Sequence, residues 1–97
     1  MDSIDELDMH EAQMRLTLYN EYRDAVRLFT WYVETELRAY LCNEQTVTPH
    51  VGEGGVYFEV VMNDVWIYEA ERISRFVPEA RVWAVSDVHV QRLKTDE

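Results

Sequence analysis

Between residues 3 and 43 the chain carries neither glycine nor proline, and its apolar residues recur at spacings of three and four. Met14, Leu18, Tyr22, Ala25, Val26, Phe29, Val33, Leu37, Tyr40 and Leu41 fall on one stripe. That period predicts amphipathic helix, because 3.6 residues complete a turn. Ser3 followed by Glu6 suits a capping box, in which the hydroxyl and the carboxylate each take an otherwise unpaired backbone N–H. Asp5, Glu6 and Asp8 complement the positive end of the helix dipole. A single helix of about 40 residues would be about 60 Å long, more than one small core can cover. Either the helix breaks near residues 20–24, or part of it packs on a partner chain.

Further along, the period shortens to two. Residues 46–51 read as a short strand that carries Pro49, and so as an edge strand, because proline donates no ladder hydrogen bond. Gly52-Glu53-Gly54-Gly55 is a turn. Residues 56–62 and 65–68 are β-branched and aromatic, hence strands, separated by the turn or bulge signal Asn63-Asp64. Val56, Phe58, Val60 and Met62 share one face, expected to lie over the helix. Residues 69–77 read as one helical turn or a loop, closed by Pro78, and residues 81–85 and 88–91 as two more strands. Helix first and strands afterwards predict an α+β fold: an N-terminal helical layer, one long or two helices, packed on a small antiparallel sheet of four to five strands. Ninety-seven residues make a single domain, 1–97, with residues 1–10 and 94–97 expected to fray.

Charge narrows the functional classes. Nine Lys and Arg stand against nineteen Asp and Glu, a formal net charge of −10. Such a chain does not hold nucleic acid through its overall field and is repelled by anionic membranes. Its 47% apolar content is too rich for a disordered acidic tail. No apolar run approaches the roughly 20 residues of a membrane span. The acidic start lacks the basic-then-apolar pattern of a signal peptide, and the single cysteine, Cys42, excludes an internal disulfide framework. A cytoplasmic location is the expectation.

Candidate chemistry is sparse. The glycine turn lacks the Lys-Ser/Thr of a phosphate-binding loop. His10, His50 and His89 are not paired at helical or strand spacing with a further histidine or cysteine that could complete a metal site. Cys42 falls at the end of the helical stripe, where the electronegative terminus opposes thiolate formation, so it reads as structural. Glu34 and Glu36, two apart on a helix, do not face each other, whereas Glu34 and Arg38 make an ordinary i,i+4 pair. No catalytic, cofactor-binding or metal-binding residue is assigned, no cofactor is expected, and the balance falls against an enzyme.

The informative excess is aromatic. Residues 28–33 are apolar nearly all round a helix, with Trp31 about 200° from Phe29. Val65-Trp66-Ile67-Tyr68 and residues 81–85, around Trp83, are apolar on both faces of a strand. One helical layer covers one face of a sheet, so residues 69–77, the N-terminal segment or a partner must cover the other. The interface candidates are Trp31, Tyr32, Trp66, Tyr68 and Trp83 with Arg72, Arg75 and Arg81, residue types enriched where proteins meet.

A resemblance adds context. The runs Leu18-Tyr19-Asn20-Glu21-Tyr22-Arg23-Asp24-Ala25-Val26 and Val33-Glu34-Thr35-Glu36-Leu37-Arg38-Ala39-Tyr40-Leu41 are its helical part. Val56-Tyr57-Phe58-Glu59-Val60 and Asp64-Val65-Trp66-Ile67-Tyr68 continue it, followed by Arg72, Arg75-Phe76-Val77 and Arg81-Val82 before Asp87-Val88. Over about residues 11–92 this resembles a small actinobacterial family carried as a domain of unknown function. Ile73 stands where members commonly show a proline. The resemblance implies no activity and no catalytic residue. It does imply a setting, because members are often encoded near ribonuclease HII and among genes for DNA processing, translation and secretion.

The leading expectation is therefore a non-catalytic acidic interaction module. It would act as a homodimer or as an adaptor for a basic protein partner in nucleic-acid or translation housekeeping, since complementary fields speed encounter. The alternative is direct nucleic-acid contact through Arg72, Arg75, Arg81 and their aromatic neighbours. A small metal-dependent hydrolase built on the acid clusters ranks last. No membrane role is expected.

Overall fold

A computed structural model describes residues 6–93. Helix α1 spans Glu6–Ala25 and tightens into a 3-10 turn at Val26–Leu28. Five strands follow: β1 Trp31–Thr35, β2 Ala39–Gly52, β3 Gly55–Ile67, β4 Phe76–Ala84 and β5 Val88–Arg92. They form one antiparallel sheet in the order β4-β3-β2-β1-β5. The α+β expectation holds. The Ser3 cap and the tail at 94–97 lie outside the described residues. No described helix is long and apolar enough to cross a membrane.

The helix stops well short of its apolar stripe. Phe29 is already extended, at φ −113° and ψ 156°. The next residues, Trp31-Tyr32-Val33, are aromatic and β-branched and suit a pleated surface. Thr35 then turns the chain. Its Oγ1 accepts from the backbone N–H of Leu37 at 3.2 Å and of Arg38 at 3.4 Å, and its own N–H donates to the Arg38 carbonyl at 3.0 Å. Such local bonds offer the backbone an alternative to helix. Glu34 and Arg38 thus flank a strand turn rather than share a helix, and Arg38 pairs with Glu69 at 3.4 Å.

Cys42 also moves, from a helix end to the first part of β2, where it is fully buried. It is inert for a different reason than the dipole: burial pushes its thiol up to about 11.

Three residues, 85–87, join β4 to β5, although these strands occupy opposite edges of the sheet. Laid flat, five strands at about 4.8 Å spacing would hold their edges about 19 Å apart. The connection reaches about 14 Å. The sheet must therefore curl. The β1–β2 turn ties the connection down, because the Glu36 carboxylate accepts from the N–H of Val85 at 3.1 Å and of Ser86 at 3.4 Å. Inside the curl lie Val33, Tyr40, Cys42, Val60, Met62, Val65 and Ile67, with Val82 of β4 and Val88 and Val90 of β5 packed against them. The second apolar face is thus covered by the sheet itself, not by residues 69–77, by a folded-back helix or by a partner.

The helix takes the opposite face, where Leu18, Ala25 and Phe29 meet Leu41 and Trp66. Val60 and Met62, expected under the helix, face the inside of the curl instead. On β3 the inward set changes from even positions (Val60, Met62) to odd ones (Val65, Ile67), while pairing with β2 keeps one register. Asp64 lies between the two sets at φ 54°, a left-handed conformation that aspartate tolerates better than most residues. The Asn63-Asp64 signal is a crease within one strand. Pro49 pairs with Phe58 of β3 at a level where β1 no longer reaches, so β2 is locally an edge there, as its proline predicts.

Candidate functional site

Strand alternation separates the aromatic residues that the helical reading grouped. Trp31 packs against the inner core, with the Arg92 guanidinium 5.4 Å from its ring centroid, while Tyr32 belongs to the helix side. Trp66 is fully buried, which corrects its place among the interface candidates: α1 lies over it. Its indole N–H donates to Glu21 at 2.6 Å. Arg75 grips the same carboxylate with two N–H groups, at 2.7 and 2.8 Å. The Arg75 bond is the main cause that holds the Glu21 carboxyl below its ordinary value. The Trp66 bond assists and partial burial opposes. This pair fastens the helix to the loop after β3 and occupies Arg75. Arg72, in that loop, sits 3.6 Å from Glu69.

Two surface features remain. The first is a ledge on the outer face of β2, β3 and β4. His50 and Tyr57 stack at 5.3 Å and 14°, and Trp83 is tilted against both at 5.8 Å. Glu59 lies beneath, bonded to His50 Nε2 at 3.1 Å and to Arg81 at 3.2 Å. Trp83 keeps 49% of its surface exposed.

The second feature is a cleft of about 540 Å³ between α1 and the β1–β2 turn. Tyr19 and Tyr22 reach it from the helix, Tyr32 and Glu34 from β1, Glu36 from the turn, and Tyr68 from the end of β3. The Tyr22 and Tyr68 rings meet edge to face at 5.4 Å. Burial first, then neighbouring Tyr68 for Tyr22 and Glu34 for Tyr32, pushes both hydroxyls up and keeps them protonated at neutral pH. Glu34 and Glu36, separated on the helical reading, border the same cleft.

The entire chain, residues 1–97, matches the family described as "Protein of unknown function (DUF2469)". The chain belongs to this family. Uncharacterized proteins of Mycobacterium tuberculosis and Mycobacterium bovis are 39% identical to it over 95 residues, which is 98% of this chain and 94% of theirs. No solved structure gives a significant match. Neither the family's description nor its mycobacterial members bring a ligand or a reaction, so the functional reading rests on geometry.

Among the described residues no three His, Cys, Asp or Glu side chains stand close enough to hold a metal ion. Of the eight interface candidates, Tyr32 and Tyr68 meet in the cleft, and Arg81 and Trp83 meet on the ledge. Tyr19, Tyr22, Glu36, His50 and Tyr57 were not among the interface candidates of the sequence. Tyr19 and Tyr22, three apart, signal one helical face, but nothing local shows that Tyr32 and Tyr68 oppose them.

Proposed function

We propose that this chain is a non-catalytic interaction module for a basic protein partner of the kind that handles nucleic acid or serves translation. The observation that carries this reading is the ledge. Stacked His50 and Tyr57 with half-exposed Trp83 lie outside the curl and apart from the residues on which α1 packs. Exposed aromatic residues are frequent anchors of protein contacts. The net charge of −10 supports a basic partner through steering.

Direct nucleic-acid contact draws less support, because Arg72, Arg75 and Arg81 each face a carboxylate, Glu69, Glu21 and Glu59 respectively. A second copy of the chain is not needed to cover the sheet.

Affinity capture at native expression, split into nuclease-treated and untreated halves, tests the proposal when run with wild type and Trp83→Ala in parallel. A partner that survives nuclease, is released by salt and is missing from the Trp83→Ala sample is the expected result. Partners lost with nuclease would move nucleic acid to the front.

A further inference from the structure

The tyrosine cleft differs from an ordinary apolar groove in what lines it. Four rings, Tyr19, Tyr22, Tyr32 and Tyr68, present π systems whose faces carry negative charge density, and Glu34 and Glu36 add two carboxylates. The Glu36 carboxyl is held below its ordinary value by the backbone N–H of Val85 first and by further backbone bonds, so it stays charged at neutral pH. Among the described residues that line the cleft the one cation is Arg38, and it is drawn to Glu69 at 3.4 Å. An anionic ligand would meet two carboxylates here, and a neutral apolar ligand would gain nothing from either charge. A cation gains from both the rings and the carboxylates.

We infer that this cleft is a cage for one cationic side chain, a lysine or arginine supplied by the basic partner. At about 540 Å³ it exceeds a single side chain and admits the adjoining peptide backbone. The inference rests on the proposed interaction role but not on the ledge. The cleft opens between α1 and the β1–β2 turn, whereas the ledge lies on the outer face of the β2–β3 hairpin and β4. The partner would bridge an aromatic anchor and a charge-selective socket.

The test titrates the full chain with a short Gly-Ser peptide that carries one central arginine. The same peptide with citrulline, a neutral isostere, is the control, and backbone and tyrosine-ring NMR shifts are the readout. Saturable shifts at Tyr22, Tyr32, Glu34 and Tyr68 are expected with arginine and not with citrulline. Glu34→Gln and Tyr19→Ala, both at exposed positions, should weaken binding roughly 2- to 30-fold, and Tyr19→Phe should retain it. Equal binding of the citrulline peptide, shifts confined to the ledge, or indifference to both weakening variants would overturn the cage. The two proposals fail separately. A captured partner that is lost with Trp83→Ala but kept by Glu34→Gln removes only the cage. An arginine-selective cleft in a chain that captures no partner removes only the adaptor.

Discussion

The inner and outer faces of the curled sheet are held by different physics, although β3 serves both. The inner face is aliphatic and sulfur-bearing apart from Tyr40 and Trp31, and apolar contact seals it. Its stabilisation is non-directional and scales with apolar area. The outer face is covered by α1 only at its base. Of that helix's twenty residues only Leu18 and Ala25 are buried, while Leu7, Met9, Leu16 and Tyr19 remain exposed. So thin an apolar stripe positions a helix weakly. The bidentate Glu21–Arg75 pair and the Trp66 indole supply the direction that hydrophobic contact lacks, because charge-assisted bonds specify geometry. Burial makes the curl, and one polar anchor places the helix.

The sharpest way to break that contrast is to label Cys42. If the inner face opens only when the whole fold does, a thiol reagent at mildly alkaline pH should modify native protein at least about a thousandfold more slowly than unfolded protein. Protection that disappears in the Glu21→Ala variant, under conditions where the sheet persists, would show that the helix and not the curl shields the core.

Next in size is truncation. Trp66→Ala removes a fully buried indole and one partner of Glu21, and should cost about 3–5 kcal/mol in denaturant unfolding. Met62→Ala on the inner face should cost about 2–5 kcal/mol with no loss of polar pairing. A Trp66→Ala cost under 1 kcal/mol would deny the helix side its structural role.

Glu21→Ala leaves the largely buried Arg75 guanidinium without its carboxylate, with only the Ala70 and Arg72 carbonyls as acceptors, and about 2 kcal/mol is expected. Its pH dependence sharpens the assignment. The Glu21 carboxyl titrates lower folded than unfolded, so its contribution is complete above the ordinary carboxylate value of 4.5 and fades as pH falls through the lower folded value. Glu21→Gln should flatten that acid limb of the stability profile relative to wild type. The smallest effect is Arg81→Ala, an exposed pair on the ledge, expected within about 0.5 kcal/mol of wild type. A larger loss would mean that the ledge is structural and not available to a partner.

Much was legible in local chemistry. The α+β order, the glycine turn between β2 and β3, the edge character around Pro49 and the irregularity at Asn63-Asp64 follow from backbone preferences that neighbouring residues cannot override. Residues 31–33 and 39–41 misled because a strand stretch packed on both faces is apolar at every position. Such a run satisfies a helical period as well as a strand one. Trp66 was singled out as a contact residue because no local feature reveals that Glu21, 45 positions earlier, waits to accept its N–H.

The sequence by itself determined the class of fold, the principal turns and the net negative charge, since each depends on composition or on residues close in the chain. The tertiary structure alone decided what covers each face of the sheet, because that is set by a three-residue link too short to span a flat sheet. It alone brought Tyr19, Tyr22, Tyr32 and Tyr68 around one cleft with Glu34 and Glu36. Long-range pairing fixes that geometry, and long-range pairing leaves no periodic trace in the chain.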